Sequence, residues 1–284
     1  MCLRKSLLLI IGLCLHLFGV AQFVQIAEGP QFEEPTTGHA KLLALKNGNT
    51  VFVHVTMDEG INVRIYDPSH KEKKVVNIPT SYEKLSEKLR DRVIAVFEAS
   101  GDIVIFVYHV NEKVPTLYRI IIDGNTGKLK QQKVVASIDI EWRVSTFYTE
   151  YVPEFFEVKK DPASDNYAVI TRNFETKDDK KRLELIHYGA DHAEIFRRYL
   201  VPPPNSNADN IWLTDFIVMG AQKLTGVGGV RIGKEIKTSI IDITREKVDV
   251  TPIELPEKKW YNNHYALVLN PVTHKWIFAN IGAE

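Results

Sequence analysis

Residues 100–107 read Ser-Gly-Asp-Ile-Val-Ile-Phe-Val, a turn signal followed by an apolar run that does not alternate with polar residues. Gly and small polar residues supply the positive φ that a tight chain reversal needs. Val, Ile and Phe favour strands, and a strand that is apolar at successive positions has both of its faces buried. Because Arg92–Glu98 precedes the turn with similar residues, the segment predicts a hairpin inside a covered sheet.

The same kind of hairpin recurs along the chain. Its turn centres lie near residues 48, 101, 164, 222 and 272, at separations of 50 to 63 residues. The other predicted strand pairs are Lys41–Lys46 with Thr50–Thr56, Phe155–Lys159 with Tyr167–Arg172, Trp212–Met219 with Thr225–Ile232, and Tyr265–Leu269 with Lys275–Asn280. A fixed period of this length indicates a repeat protein.

A second hairpin follows each of the first four. Its strand pairs are Asn62–Tyr66 with Lys74–Ile78, Leu117–Ile122 with Leu129–Ser137, Leu183–Tyr188 with Glu194–Leu200, and Thr238–Ile243 with Lys247–Glu254. The sequence therefore predicts an all-β, β-propeller-like array of four-stranded antiparallel blades, with four full repeats and a partial fifth. Two packed sandwiches or a long meander are the alternative.

The fifth repeat contains only two predicted strands. Either Phe23–Ala27 adds a strand to it, giving five blades, or the chain is a piece of a longer propeller of six to eight blades. We favour the second interpretation, because an open propeller exposes a sheet edge that proteins avoid. Residues 22–284 are thus expected to form one propeller-like domain, truncated at the C-terminus.

The N-terminus has the pattern of an export signal. Arg4 and Lys5 precede the apolar run Ser6–Phe18, and small residues at Gly19–Ala21 suit a signal peptidase. We therefore interpret residues 1–21 as a signal peptide cleaved near Ala21–Gln22, which predicts a secreted or periplasmic protein. No later segment has 18 consecutive apolar residues, so no transmembrane segment is expected in the mature chain.

The amino-acid composition argues against several further classes of protein. Both cysteines, Cys2 and Cys14, lie in the leader, so the mature chain is expected to lack disulfides and thiolate chemistry. The 36 basic and 36 acidic residues balance, which argues against a nucleic-acid partner. With 44% hydrophobic and 25% charged residues the chain is globular rather than disordered.

A leader that ends in Ala21-Gln22 and is followed by degenerate four-strand units resembles the exported β-propeller-like proteins of uncharacterised function common in Gram-negative bacteria. The resemblance covers residues 22–284 and lies in the pattern. No Trp-Asp blade ending, kelch double glycine or Ser-x-Asp-x-Gly-x-Thr-Trp box is present, so the resemblance implies a fold and assigns no site residues.

The predicted links between blades are rich in aromatic residues, especially residues 139–153 and 255–264. Aromatic rings stack on sugars and pack against peptides, so these links predict a binding face. The candidate ligand-binding residues are Trp142, Tyr148, Tyr151, Trp260, Tyr261 and His264. Packing between blades is the alternative role for the same rings.

No motif in the chain indicates a reaction. The chain has no His-Glu-x-x-His metal motif and no Gly-x-Ser-x-Gly elbow, and Gly226–Gly229 lacks the Lys-Ser/Thr pair of a phosphate loop. We therefore expect no metal, cofactor or catalytic residue, and predict a protein that binds a carbohydrate or polypeptide. The alternatives are an extracytoplasmic propeller enzyme acting on glycans or peptides, and a scaffold without a small ligand.

Overall fold

The structure is a computed structural model of the 284-residue chain. It describes residues 38–56, 59–79, 92–111, 114–138, 155–173, 176–204, 206–253, 264–270, 273 and 275–281.

Strands account for nearly all regular structure in these ranges. The first sheet contains β1 (His39–Ala44), β2 (Thr50–Thr56), β3 (Gly60–Tyr66) and β4 (Glu72–Ile78). The second contains β5 (Arg92–Ala99), β6 (Asp102–Asn111), β7 (Val114–Asp123) and β8 (Leu129–Ser137). The third contains β9 (Phe156–Lys160), β10 (Tyr167–Arg172), β11 (Leu183–Tyr188) and β12 (Glu194–Tyr199), with a 3₁₀ turn at Asp179–Lys181. The fourth contains β13 (Asn210–Met219), β14 (Lys223–Ile232), β15 (Glu235–Ile243) and β16 (Val248–Pro252), and the fifth β17 (His264–Leu269) and β18 (Trp276–Ile281).

Each sheet is an antiparallel meander in which neighbours in sequence are neighbours in space. The predicted β-propeller-like array is confirmed, with four four-stranded sheets and one hairpin among the described residues. The observed strand bounds agree closely with the predicted ones: the predicted strands Thr50–Thr56 and Tyr167–Arg172 are the observed β2 and β10. The turn at Ser100 (φ 54°) and Gly101 (φ 81°) has the positive φ values of a two-residue hairpin turn.

The first strand of each sheet forms the inner row of the array. Strand β1 contacts β5, β5 contacts β9, β9 contacts β13, and β13 contacts β17. The fourth strands lie outside, and β4, β8 and β16 expose most of their side chains. This radial arrangement decides which residues face the centre.

The apolar run in β6 is explained by burial on both faces. Ile103, Ile105 and Val107 pack against the first sheet, whereas Val104 and Phe106 pack against the third. A strand between two other sheets has no polar face, so its residues do not alternate. The third sheet is likewise buried on both faces, one packed against the second sheet and the other against the fourth.

Glycines in β14 accommodate a close approach of β13. The register of β13 shifts between Leu213 and Asp215, which marks a β-bulge. A Cβ atom on Gly228 would lie 1.8 Å from the carbonyl oxygen of Trp212, and the Trp212 ring covers Gly229. The glycine-rich segment is therefore a strand element rather than a phosphate loop.

Residues 1–37, 254–263 and 282–284 lie outside the described residues. The signal peptide, the added strand at Phe23–Ala27 and the number of blades therefore remain predictions. Within the described ranges, no helix combines the length and the apolar character needed to cross a bilayer.

Ile105→Ala tests the packing between the first and second sheets. The side chain is fully buried, so its truncation should lower the free energy of unfolding by about 2–5 kcal/mol. Ile236→Ala, at a residue that is 59% exposed, is the matched control and should cost less than about 1 kcal/mol. Denaturant unfolding measures both, and equal losses would contradict the packing described.

Candidate functional site

The aromatic residues proposed from the sequence are not tested by the structure. Trp142, Tyr148, Tyr151, Trp260 and Tyr261 lie outside the described residues. His264 is the first residue of β17, where its Cα pairs with that of Ile281. The ligand face therefore stays a prediction.

The structure brings together four charged side chains that the sequence did not single out. We call them the inner charge cluster: Glu157 and Lys159 of β9, Arg172 of β10 and Asp215 of β13. Arg172 Nη2 lies 2.5 Å from Glu157 Oε2, and Lys159 Nζ lies 3.3 Å from Glu157 Oε1. The Lys159 ammonium also forms a short ion pair with Asp215. One ammonium thus joins the third sheet to the fourth.

Strand alternation explains the position of this cluster. Phe156 and Val158 pack towards the second sheet, so Glu157 and Lys159 face the fourth sheet. Asp215 follows the bulge in β13, which re-aims its side chain. The Lys159 ammonium lies 5.1 Å from the ring centroid of Phe216, close enough for a cation–π contact.

The cluster is neutral and partly open to solvent. Its side chains are 14–32% exposed, and its two cations contact its two carboxylates. Charged groups in such an arrangement donate and accept strong hydrogen bonds. The cluster is therefore suited to binding hydroxyl or amide groups of a ligand.

A second polar group, which we call the junction network, joins the second and third sheets. His192 Nε2 lies 3.4 Å from Asp102 Oδ2, and His192 Nδ1 lies 3.1 Å from the Tyr167 hydroxyl. Arg119 Nη1 donates to the same hydroxyl over 2.8 Å. Lys130 donates to both oxygens of Asp102 at 2.8 Å.

The order carboxylate, imidazole, hydroxyl is that of a nucleophilic triad, but the surroundings of Tyr167 exclude that role. Tyr167 is fully buried, so a substrate cannot reach its hydroxyl. Burial also raises the pKa of Tyr167 well above its ordinary value, despite the opposing effect of Arg119. A nucleophile needs a lowered pKa, so the junction network is structural.

A weak sequence signal for the inner charge cluster does exist. Residues 156–159 alternate Phe-Glu-Val-Lys in a predicted first strand of a blade. Charges at alternate positions of an inner strand face either solvent or a neighbouring sheet. The partner Asp215 lies 56 positions from Lys159, so sequence alone does not connect them.

The architecture defines an all-β protein of the β-propeller-like class. No family model and no curated protein matches the chain. Among solved structures it is similar to a xylan β-1,4-xylosidase from Bacillus halodurans, with 9% identity and a TM-score of 0.35 over 86% of this chain and 48% of that one. A eukaryotic initiation factor aligns with 12% identity and a TM-score of 0.43 over 91% of this chain and 54% of that one.

The β-propeller domain of the Trilobed protease from Pyrococcus furiosus, described as having an open velcro topology, is also similar. It has 9% identity and a TM-score of 0.28 over 80% of this chain and 87% of that domain. The chain spans about half the length of the xylosidase and of the initiation factor. At identities of 9–12% and TM-scores of 0.28–0.43, these likenesses carry no activity to this chain.

Lys159→Met tests the inner charge cluster. It removes the ion pair of Lys159 with Asp215, whose side chain is only 14% exposed, and should lower the free energy of unfolding by about 1–2 kcal/mol. Lys159→Met combined with Asp215→Asn should recover part of this loss, because the carboxylate that Lys159 neutralises is then removed as well. Lys247→Met, which breaks an exposed pair with Asp249, is the control and should change stability much less than Lys159→Met does. A loss from Lys159→Met no larger than that of the control would contradict the assignment.

Proposed function

We propose that this chain is an exported, disulfide-free β-propeller-like protein that binds a carbohydrate or polypeptide ligand. The ligand would lie on the face that carries the links between sheets. Trp142, Tyr148, Tyr151, Trp260, Tyr261 and His264 would contact its apolar surfaces. The inner charge cluster would hydrogen-bond its polar groups.

The observation that carries the proposal is the inner charge cluster itself. Glu157 lies near the start of β9, the strand that follows the aromatic segment at residues 139–153. Arg172 lies at the end of β10, and its backbone N–H donates to the carbonyl of Phe155 at the same end of the sheet. The cluster therefore extends towards the end of the third sheet at which β9 begins.

Sugars and peptides both combine apolar faces with hydroxyl or amide groups. Binding sites for such ligands pair aromatic side chains with a few well-placed polar groups. The inner charge cluster contains two cations and two carboxylates, so its net charge is zero. A charged ligand would be attracted by one pair and repelled by the other, and the cluster therefore favours a ligand without a large net charge.

A glycan and peptide array with the purified protein tests the binding proposal. Glu157→Gln and Asp215→Asn should each weaken the affinity of any hit by roughly 10–100-fold, the value of a hydrogen bond to a charged group. Trp142→Ala and Trp260→Ala should weaken it as well. Titration calorimetry on the strongest hit gives the affinities.

Two controls are matched to these variants. Tyr199→Ala removes a 41% exposed aromatic residue on the outer strand β12, and Glu246→Gln neutralises an exposed carboxylate in the β15–β16 turn. Both should leave the affinity unchanged. Absence of any hit would favour a scaffold, whereas turnover of chromogenic glycosides that Glu157→Gln abolishes would favour the alternative of an enzyme.

Export is tested by expressing all 284 residues in a Gram-negative host. Intact mass spectrometry should find a mature chain that begins at Gln22 in the periplasm or the medium. Arg4→Glu with Lys5→Glu, which reverses the charge before the apolar run, should leave uncleaved protein in the cell. A cytoplasmic protein that retains residues 1–21 in both cases would refute export.

A further inference from the structure

The turn between β11 and β12 fixes the backbone of His192. His192 has φ 64°, in the left-handed region that few residues other than glycine adopt. The turn is held from the second sheet at two further points: Ser100 Oγ donates to the carbonyl of Ala190 over 2.7 Å, and Arg119 donates to the carbonyl of His192 over 2.9 Å. The surroundings therefore fix the position of this imidazole.

Hydrogen-bond donors and acceptors determine the protonation of the imidazole. The Tyr167 oxygen accepts from Arg119 Nη1, so the Tyr167 proton is free to be donated to His192 Nδ1. Nδ1 then carries a lone pair and Nε2 carries the proton, with Asp102 Oδ2 3.4 Å away. Only a neutral His192 can accept this hydrogen bond from Tyr167.

The charges around His192 come from four elements. Asp102 of β6 is negative but already bound to Lys130 of β8. Arg119 of β7 is 1% exposed and forms no ion pair with any described residue; its other contacts are Gln131 and the ring of Tyr188, 4.4 Å from Cζ. Asp191 is the acidic neighbour in the same turn, where its side chain accepts from the N–H of Ala193. A proton on His192 would therefore add charge next to a buried cation.

We propose that the junction network is an acid-operated latch between the second and third sheets, closed when His192 is neutral and released when it gains a proton. The added proton occupies Nδ1, so the Tyr167 hydroxyl loses its acceptor in a buried place. A buried hydroxyl without an acceptor and a new cation beside Arg119 both destabilise the closed junction. Opening the junction lets water solvate all three groups.

The direction of the pH effect follows from burial. Burial, and to a smaller extent Arg119 and Lys130, lower the pKa of His192 despite the opposing effect of Asp102. A group whose pKa is lowered by folding stabilises the closed state above its ordinary pKa of about 6.5, and this stability is lost as the pH falls below that value. Since opening takes up at most one proton, its equilibrium constant should rise as the pH falls below about 6.5, by less than about tenfold for each pH unit.

Hydrogen exchange measured by mass spectrometry between pH 7.5 and 5.5 tests the latch. After correction for the intrinsic exchange rate, protection in β10 and in the turn at residues 189–193 should fall severalfold, by up to about fivefold, between pH 6.5 and 5.5. Strand β2, which lies in the first sheet, is the internal reference and should change much less.

His192→Asn is the decisive variant. Asn tolerates positive φ, and its side-chain oxygen can accept from Tyr167 without titrating. Protection at the junction should then become independent of pH. His70→Asn is the matched control, because His70 also has positive φ (61°) in a hairpin turn but is exposed in the first sheet; it should behave as the wild type.

The contrary results are distinct. Junction protection that does not fall with acid in the wild type, or that falls equally in His192→Asn, would overturn the latch. If His192→Asn fails to fold, the imidazole resonances of His192 in wild-type NMR spectra provide the test: titration at or above pH 6.5 would refute the proposal. His187 is buried and its pKa is also lowered, but it lies at the junction of the third and fourth sheets. Its effect is followed separately, by hydrogen-exchange protection in β14.

Discussion

Burial of both faces of each internal sheet is the constraint on which the rest of this molecule depends. A sheet between two others contributes alternate side chains to two cores, as β6 does with Ile105 on one side and Phe106 on the other. Apolar contact supplies most of the driving force, and it places the first strand of every sheet in the inner row. The inner charge cluster has its position because β9 and β13 are both inner strands.

Apolar packing alone specifies poorly how one sheet is rotated against the next. At each of two junctions, directional polar contacts add that specificity. Between the third and fourth sheets, the N–H of Gly220 donates to Asp161, and the Gly220 carbonyl lies 3.0 Å from His187 Nε2. Between the second and third sheets, Arg119 donates to the Tyr167 hydroxyl. Such contacts are costly when incomplete, which is why one proton on His192 can weaken the junction.

The two polar groups differ in the access that water and ligands have to them. Tyr167, Arg119 and Asp102 of the junction network are buried, so the network stabilises a sheet junction rather than performs chemistry. The inner charge cluster is partly exposed, so its groups can exchange hydrogen bonds with a ligand. Burial, rather than residue type, separates a structural network from a candidate binding site here.

Strands, turns and the repeat were predictable from the sequence, because period-2 patterns and turn residues act over a few positions. The apolar run at Ile103–Val107 even indicated a strand covered on both faces. The polar groups were not predictable in this way. Lys159 and Asp215 are 56 positions apart, and Arg119 and His192 are 73 apart. Whether such residues meet depends on how two sheets pack against each other, and only the tertiary structure contains that information.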